Sequence, residues 1–157
     1  MAQYKLLKTI YNSTLIELAS IMGLQRVISR KDTKLIKYSN DEKQTQLRNK
    51  DVTVFVAAHK GDSYLKAIIQ FYPPVEKGGS SILWEHLNQK GLTKDHLERL
   101  SLALAVKISV FEYFAGNFSV DTQYLVREAP SSTESDVLGE RKSNLVHIIV
   151  HTIYYEQ

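Results

Sequence analysis

Between Leu97 and Asn117 the chain carries two apolar stripes on what the spacing predicts to be a single helix. Leu97, Leu100, Leu104, Ile108, Phe111 and Ala115 recur at steps of three and four, the repeat of one helical face. Leu102, Val106, Val110 and Tyr113 follow the same step on the opposite side, which leaves Ser101, Lys107, Ser109 and Glu112 as the polar positions. A helix that is apolar nearly all round has to be covered on more than one side. At about 1.5 Å per residue it spans roughly 30 Å, enough to cross a small domain. One sheet covers only one of its faces. The second face therefore calls for another helix of the same chain or a second copy of the protein.

The remaining segments alternate between helical and extended patterns. Tyr4, Leu7, Tyr11, Leu15, Leu18 and Met22 keep the helical repeat from Ala2 to Met22, and Gly23 supplies the stop. Thr9, Asn12, Ser13 and Thr14 lower its intrinsic propensity, so packing has to hold it. Val27-Ile28 and Leu35 to Tyr38 suggest two short strands around a Lys31-Asp32 turn, followed by an exposed loop from Ser39 to Asn49. Between Asp51 and Tyr72, alternating Val52, Val54, Val56 and then Leu65, Ala67, Ile69, Phe71 predict a strand hairpin that Pro73-Pro74 closes. A short helix is expected over Ile82 to Lys90, ended by Gly91, and Thr93 is the natural N-cap of the long helix, which Gly116-Asn117 should end. Val120 to Arg127 alternates as a half-exposed strand. Residues 129–144 form a polar loop long enough for an arm or a docking element. Leu145 to Tyr155 is rich in β-branched and aromatic residues. It predicts a strand too apolar for an open edge, central in the sheet or capped by another chain.

Composition excludes several classes of function. A chain of 157 residues suits one domain, which at this size withdraws about 70% of its unfolded surface from water without a disulfide or metal. With 43% hydrophobic and 24% charged residues it is not a disordered chain. The absence of cysteine removes disulfide scaffolds, thiolate zinc sites and thiol catalysis together. No signal-peptide pattern opens the sequence, and no apolar run reaches the roughly 18 residues of a membrane span, so a non-secreted protein without a membrane span is expected. The net charge of +3 is too small to imply a nucleic-acid partner by itself. It is unevenly placed, however. Residues 25–50 hold eight basic side chains, among them Arg30, Lys31, Lys34, Lys37, Lys43 and Arg48, against Asp32, Asp41 and Glu42. Such a stretch can contact phosphates non-specifically, line an assembly, or simply keep the protein soluble.

Residues with the chemistry for catalysis are few. His147 and His151 have the spacing of two ligands on a helical face, but the β-branched run around them predicts a strand, in which the rings sit roughly 13 Å apart. No glutamate lies between them, which rules out the zincin pattern. They are expected at a sheet surface, where an interface between subunits would use them. Trp84 is expected as a core or interface anchor. No nucleophile, base and oxyanion set emerges, so no enzyme activity, cofactor or metal is inferred.

A lone N-terminal helix, a mid-chain β-hairpin, a long helix packed on the sheet and a C-terminal strand ending in Ile153-Tyr154-Tyr155-Glu156-Gln157 make an order of elements that resembles the tail terminator or tail-completion proteins of tailed phages. The likeness runs from Ala2 to Gln157 as a succession of elements, and the short helix at Ile82 to Lys90 departs from it. It implies subunits in a ring, loops that reach adjacent rings, and a charged lumen through which DNA passes; the expected location is a virion or the cytoplasm. The expectation is thus a single α+β domain, with a mixed or antiparallel sheet of about four to six strands packed by an N-terminal helix and one long central helix. It would serve as a structural subunit of a homo-oligomeric assembly with other structural proteins. Leu102, Val106, Val110, Tyr113, His147 and His151 are the candidate interface, and the basic residues are the candidate contact with DNA, lumen or neighbour. The alternatives are a small nucleic-acid-binding or regulatory protein using residues 25–50, and a hydrolase with an unrecognised site.

Overall fold

The computed structural model describes residues 2–23, 33–38, 45–49, 54–60, 63–73, 82–128 and 145–156. Its elements are α1 (Ala2–Met22), β1 (Thr33–Tyr38), β2 (Thr45–Asn49), β3 (Val54–Lys60), β4 (Tyr64–Phe71), α2 (Ile82–Lys90), α3 (Lys94–Ile108), β5 (Phe118–Glu128) and β6 (Leu145–Tyr155). The strands lie in the order β1-β2-β3-β4-β6-β5, antiparallel throughout. This is an α+β single domain. Among the described side chains, those of β4, β6 and β5 supply the sheet's share of the core.

The terminal strand β6 sits between β4 and β5, as its apolar sequence requires, and is buried along almost its whole length. In β4 the pleat turns Leu65, Ala67, Ile69 and Phe71 inward. Against them pack Leu7, Ile10, Tyr11 and Leu18 of α1, Leu83 and Leu87 of α2, and Leu100, Leu104 and Ile108 of α3. Each such side chain contributes about 1.5–3 kcal/mol by leaving water. On the opposite face Val146, Ile148 and Val150 make a smaller cluster with Ile68 and Tyr72. Arg127 reaches across this face, donating from one guanidinium nitrogen to Gln70 (2.9 Å) and Tyr72 (3.0 Å) and lying 5.7 Å from the Tyr72 ring centre.

Helix ends follow local chemistry. Gly23 and Gly91 adopt φ of +72° and +63°, the left-handed geometry that terminates a helix. Thr93 caps α3 through its hydroxyl, which accepts from His96 N–H (3.2 Å), while His96 Nδ1 accepts from Thr93 N–H (3.2 Å). This is a capping box with histidine in the place usual for glutamate or glutamine.

Two expectations need correction. The long helix does not run to Gly116-Asn117 but ends at Ile108, about 22 Å long. Ser109 Oγ bonds back to Val106 O (2.7 Å), Phe111 turns extended (ψ 130°), and a 3₁₀ turn follows at Glu112–Phe114. The break lets Phe114 enter the core, its ring centre 5.5 Å from both Phe118 and Tyr155. The exposed loop expected over residues 39–49 contains a strand instead, since Thr45–Asn49 pairs on both sides, with β1 and β3. The ladder supplies there what the polar local sequence does not signal. The strand expected at Val27-Ile28, the Lys31-Asp32 turn and the loop at 129–144 lie outside the described residues.

Candidate functional site

β6 presents His147 and His151 on the same face, because side chains four residues apart in a strand share a side. That face looks toward the helices. Both imidazoles are buried, so neither stands at the sheet surface where the sequence suggested an interface. The reason is that β6 is central and covered on both sides.

His151 Nε2 lies 2.9 Å from Thr14 Oγ1 of α1, and its Nδ1 lies 2.8 Å from Thr122 Oγ1 of β5. The Thr14 hydroxyl donates its one proton to Ile10 O (2.7 Å). Toward His151 it can therefore only accept, and Nε2 must carry the hydrogen. Nδ1 is then bare and accepts from Thr122. A neutral ring fully satisfied by two hydroxyls results, and burial pushes its pKa down to about 4.

His147 has a parallel arrangement. Its Nδ1 is 2.6 Å from Tyr124 OH, and its Nε2 is 3.3 Å from Asn88 Oδ1 of α2. Since the amide oxygen only accepts, Nε2–H donates to it and the phenol donates to Nδ1. The Tyr124 ring stacks on the imidazole (5.9 Å, 8°), and Trp84 meets it edge-on at 6.0 Å. Burial lowers the His147 pKa and raises that of Tyr124. Trp84 Nε1 donates to Leu145 O (2.8 Å) and so fastens α2 to the start of β6, which places it as a core anchor, the first of the two alternatives the sequence left open. With both nitrogens of His147 and of His151 engaged by neighbours inside the protein, this arrangement holds α1, α2, β5 and β6 together. Among the described residues no group of three His, Asp or Glu side chains is placed to hold a metal ion.

Three of the other interface candidates lie on the outside. Leu102, Val106 and Val110 are 70%, 69% and 83% exposed, in line along the outer side of α3 and its first turn beyond. Leu100, Leu104 and Ile108 fill the opposite, buried side. Tyr113 falls in the 3₁₀ turn, off the α-helix, because the helix ends five residues before it. The second face of α3 is thus uncovered by any described element. On its flank Arg99 pairs with Glu17 of α1 (3.0 Å) and donates to Ser20 (3.1 Å), joining the two helices at the surface.

Of the basic candidates, Lys34 and Lys37 belong to β1 and Arg48 to β2, with Lys34 directly opposite Arg48 and Lys37 opposite Gln46. Arg30, Lys31 and Lys43 lie outside the described residues. The network around His151 had no signal in the sequence, since Thr14 and Thr122 stand 137 and 29 residues from it. No helix among the described residues is long and apolar enough to cross a membrane. No protein-family model, curated protein or solved structure matches the chain.

Proposed function

We propose that the protein is a structural subunit that works by associating with copies of itself, in a ring-like assembly of the kind found at the tail or neck of a virion or in a tail-like particle. The observation that carries this reading is the row of Leu102, Val106 and Val110, three large apolar side chains at least two-thirds exposed on one side of a helix whose other side is core. A contiguous exposed apolar strip rimmed by polar residues marks an association surface more often than a solvated one. The internally satisfied histidines support a role without catalysis. The resemblance in order of elements supports the placement in a phage tail. Sedimentation equilibrium tests it: the wild-type chain should have a multiple of the 17.9 kDa monomer mass, and Leu102→Glu with Val106→Glu should reduce that mass without loss of fold. A wild-type chain that stays monomeric at high concentration would remove the proposal.

One observation favours a second reading, contact with a polyanion such as DNA. Lys34 and Arg48 are register partners on neighbouring strands, a pairing of two basic residue types that a counter-charge would favour. Phosphates would supply it, with binding that weakens steeply as salt rises. Lys34→Glu with Arg48→Glu should then abolish salt-sensitive DNA retention while the oligomer mass is unchanged.

A further inference from the structure

We infer that the outer edge of β5 is a second self-association surface, on which a second copy of the chain adds its own β5 antiparallel about a two-fold axis through Tyr124. The inference rests on the self-association proposed above and names a second place where copies would meet.

Among the described residues β5 ends the sheet and has one ladder neighbour, β6. Which of its backbone groups face outward follows from the register. Glu156 N–H donates to Asn117 O (3.4 Å) at the position just before Phe118↔Tyr155. Hydrogen-bonded pairs alternate along an antiparallel ladder, so Ser119, Asp121, Gln123, Leu125 and Arg127 turn their N–H and C=O toward β6. The even-numbered residues turn theirs to the open edge. The bond from Ser101 Oγ to Val120 O (2.7 Å) agrees with this, since α3 satisfies an outward carbonyl. It also closes the edge at Val120. Thr122, Tyr124 and Val126 remain as a run of outward pairs, symmetric about Tyr124.

The side chains of this run suit a copy of itself. An axis through Tyr124 sets Thr122 opposite Val126 of the second copy, with two hydrogen bonds per such pair. It also sets Asp121 opposite Arg127 of the second copy, and does so twice. Both of these charged side chains are exposed and lie on the same face of the strand. Among the described residues Arg127 uses Nη2 on Gln70 and Tyr72, and its Nε and Nη1 are further donors that suit a carboxylate. Leu125 and Val126, 51% and 47% exposed, put apolar surface on both faces of the same edge. A long edge strand with apolar side chains is a template for another strand unless something covers it. Opposite charges placed at equal distances from one residue select the antiparallel pairing and its register over slipped alternatives.

Because the natural chain has no cysteine, introduced pairs report the register without background. In this register Gln123 faces Leu125 of the second copy as a non-hydrogen-bonded pair, with Cα atoms about 4.5 Å apart, within the range a disulfide spans. Mild oxidation of the full-length Gln123→Cys, Leu125→Cys double variant should give a covalent dimer as the main product. Adding Val126→Pro should abolish it, because that proline removes an outward N–H and leaves the β6 ladder intact, as an unchanged far-UV circular dichroism spectrum would verify. A wild-type oligomer whose double variant fails to cross-link would overturn this inference and leave the α3 association standing. Cross-linking that survives Val126→Pro would overturn it as well, and a chain that is monomeric throughout would overturn both.

Discussion

An imidazole buried with both nitrogens engaged titrates against the fold. His151 has an ordinary value of 6.5 when the chain is unfolded and about 4 when folded, a depressed value for a base. Above pH 6.5 both states hold it neutral and it exerts no pH effect. As pH falls from about 6.5 toward 4 the unfolded chain binds the proton and the folded one does not, so stability is lost through that window and levels off below it. The loss from this group is on the order of 3 kcal/mol. His147, lowered by burial, acts in the same direction. Urea midpoints measured between pH 7 and pH 4 should therefore fall steadily, and His151→Gln should flatten the slope. The hydroxyl that fixes the tautomer has its own test. Thr14→Val removes the acceptor of a buried N–H at nearly constant shape, and should cost about 1–3 kcal/mol in chemical denaturation. None of this was legible in the sequence. A strand apolar on both faces gives no indication of which side its histidines take, and their partners come from distant α1 and β5.

At the scale of elements, α3 separates what holds the fold from what lies outside it. Leu104→Ala, inside, should cost about 2–5 kcal/mol, while Leu102→Glu, outside, should change the stability of the monomer by no more than about 0.5 kcal/mol when wild type and variants are compared at dilutions where all are monomeric. Thermal unfolding of the two variants side by side measures the contrast. If Leu102→Glu proves as damaging as the core variant, that face is covered in the folded monomer. The two stripes of this helix were plain in the spacing of the sequence, as were the bounds of α1, α2 and β6. Those segments carry an uninterrupted period and a glycine or polar break at the end. The stop at Ile108 was not plain, since Val110, Phe111 and Phe114 continue the helical period. What ends the helix is the core position between Phe118 and Tyr155 that only the folded sheet creates. β2 is silent in the sequence for the complementary reason. With Leu47 as its only apolar residue it carries no alternation, and its strand conformation is set by the ladders on either side.

For the whole molecule, the outer side of α3 and the edge of β5 are two surfaces with different physics, one apolar side-chain packing and the other a backbone ladder. A protein with a single self-complementary patch stops at a dimer, whereas two separate patches let copies continue into a closed ring or a longer array. The order of the elements suggested an assembly, but the two patches required the folded molecule, because the edge position of β5 depends on β6 inserting beside it from the far end of the chain. The two contacts should be separable. Val126→Pro should leave only the species held through α3, and Leu102→Glu with Val106→Glu should leave only the dimer held through β5. The combination of all three should give monomers that are still folded. Mass photometry or sedimentation velocity on the four proteins, wild type included, distinguishes this from a single composite interface. In that case either block alone would already yield monomers, and the combination would add nothing.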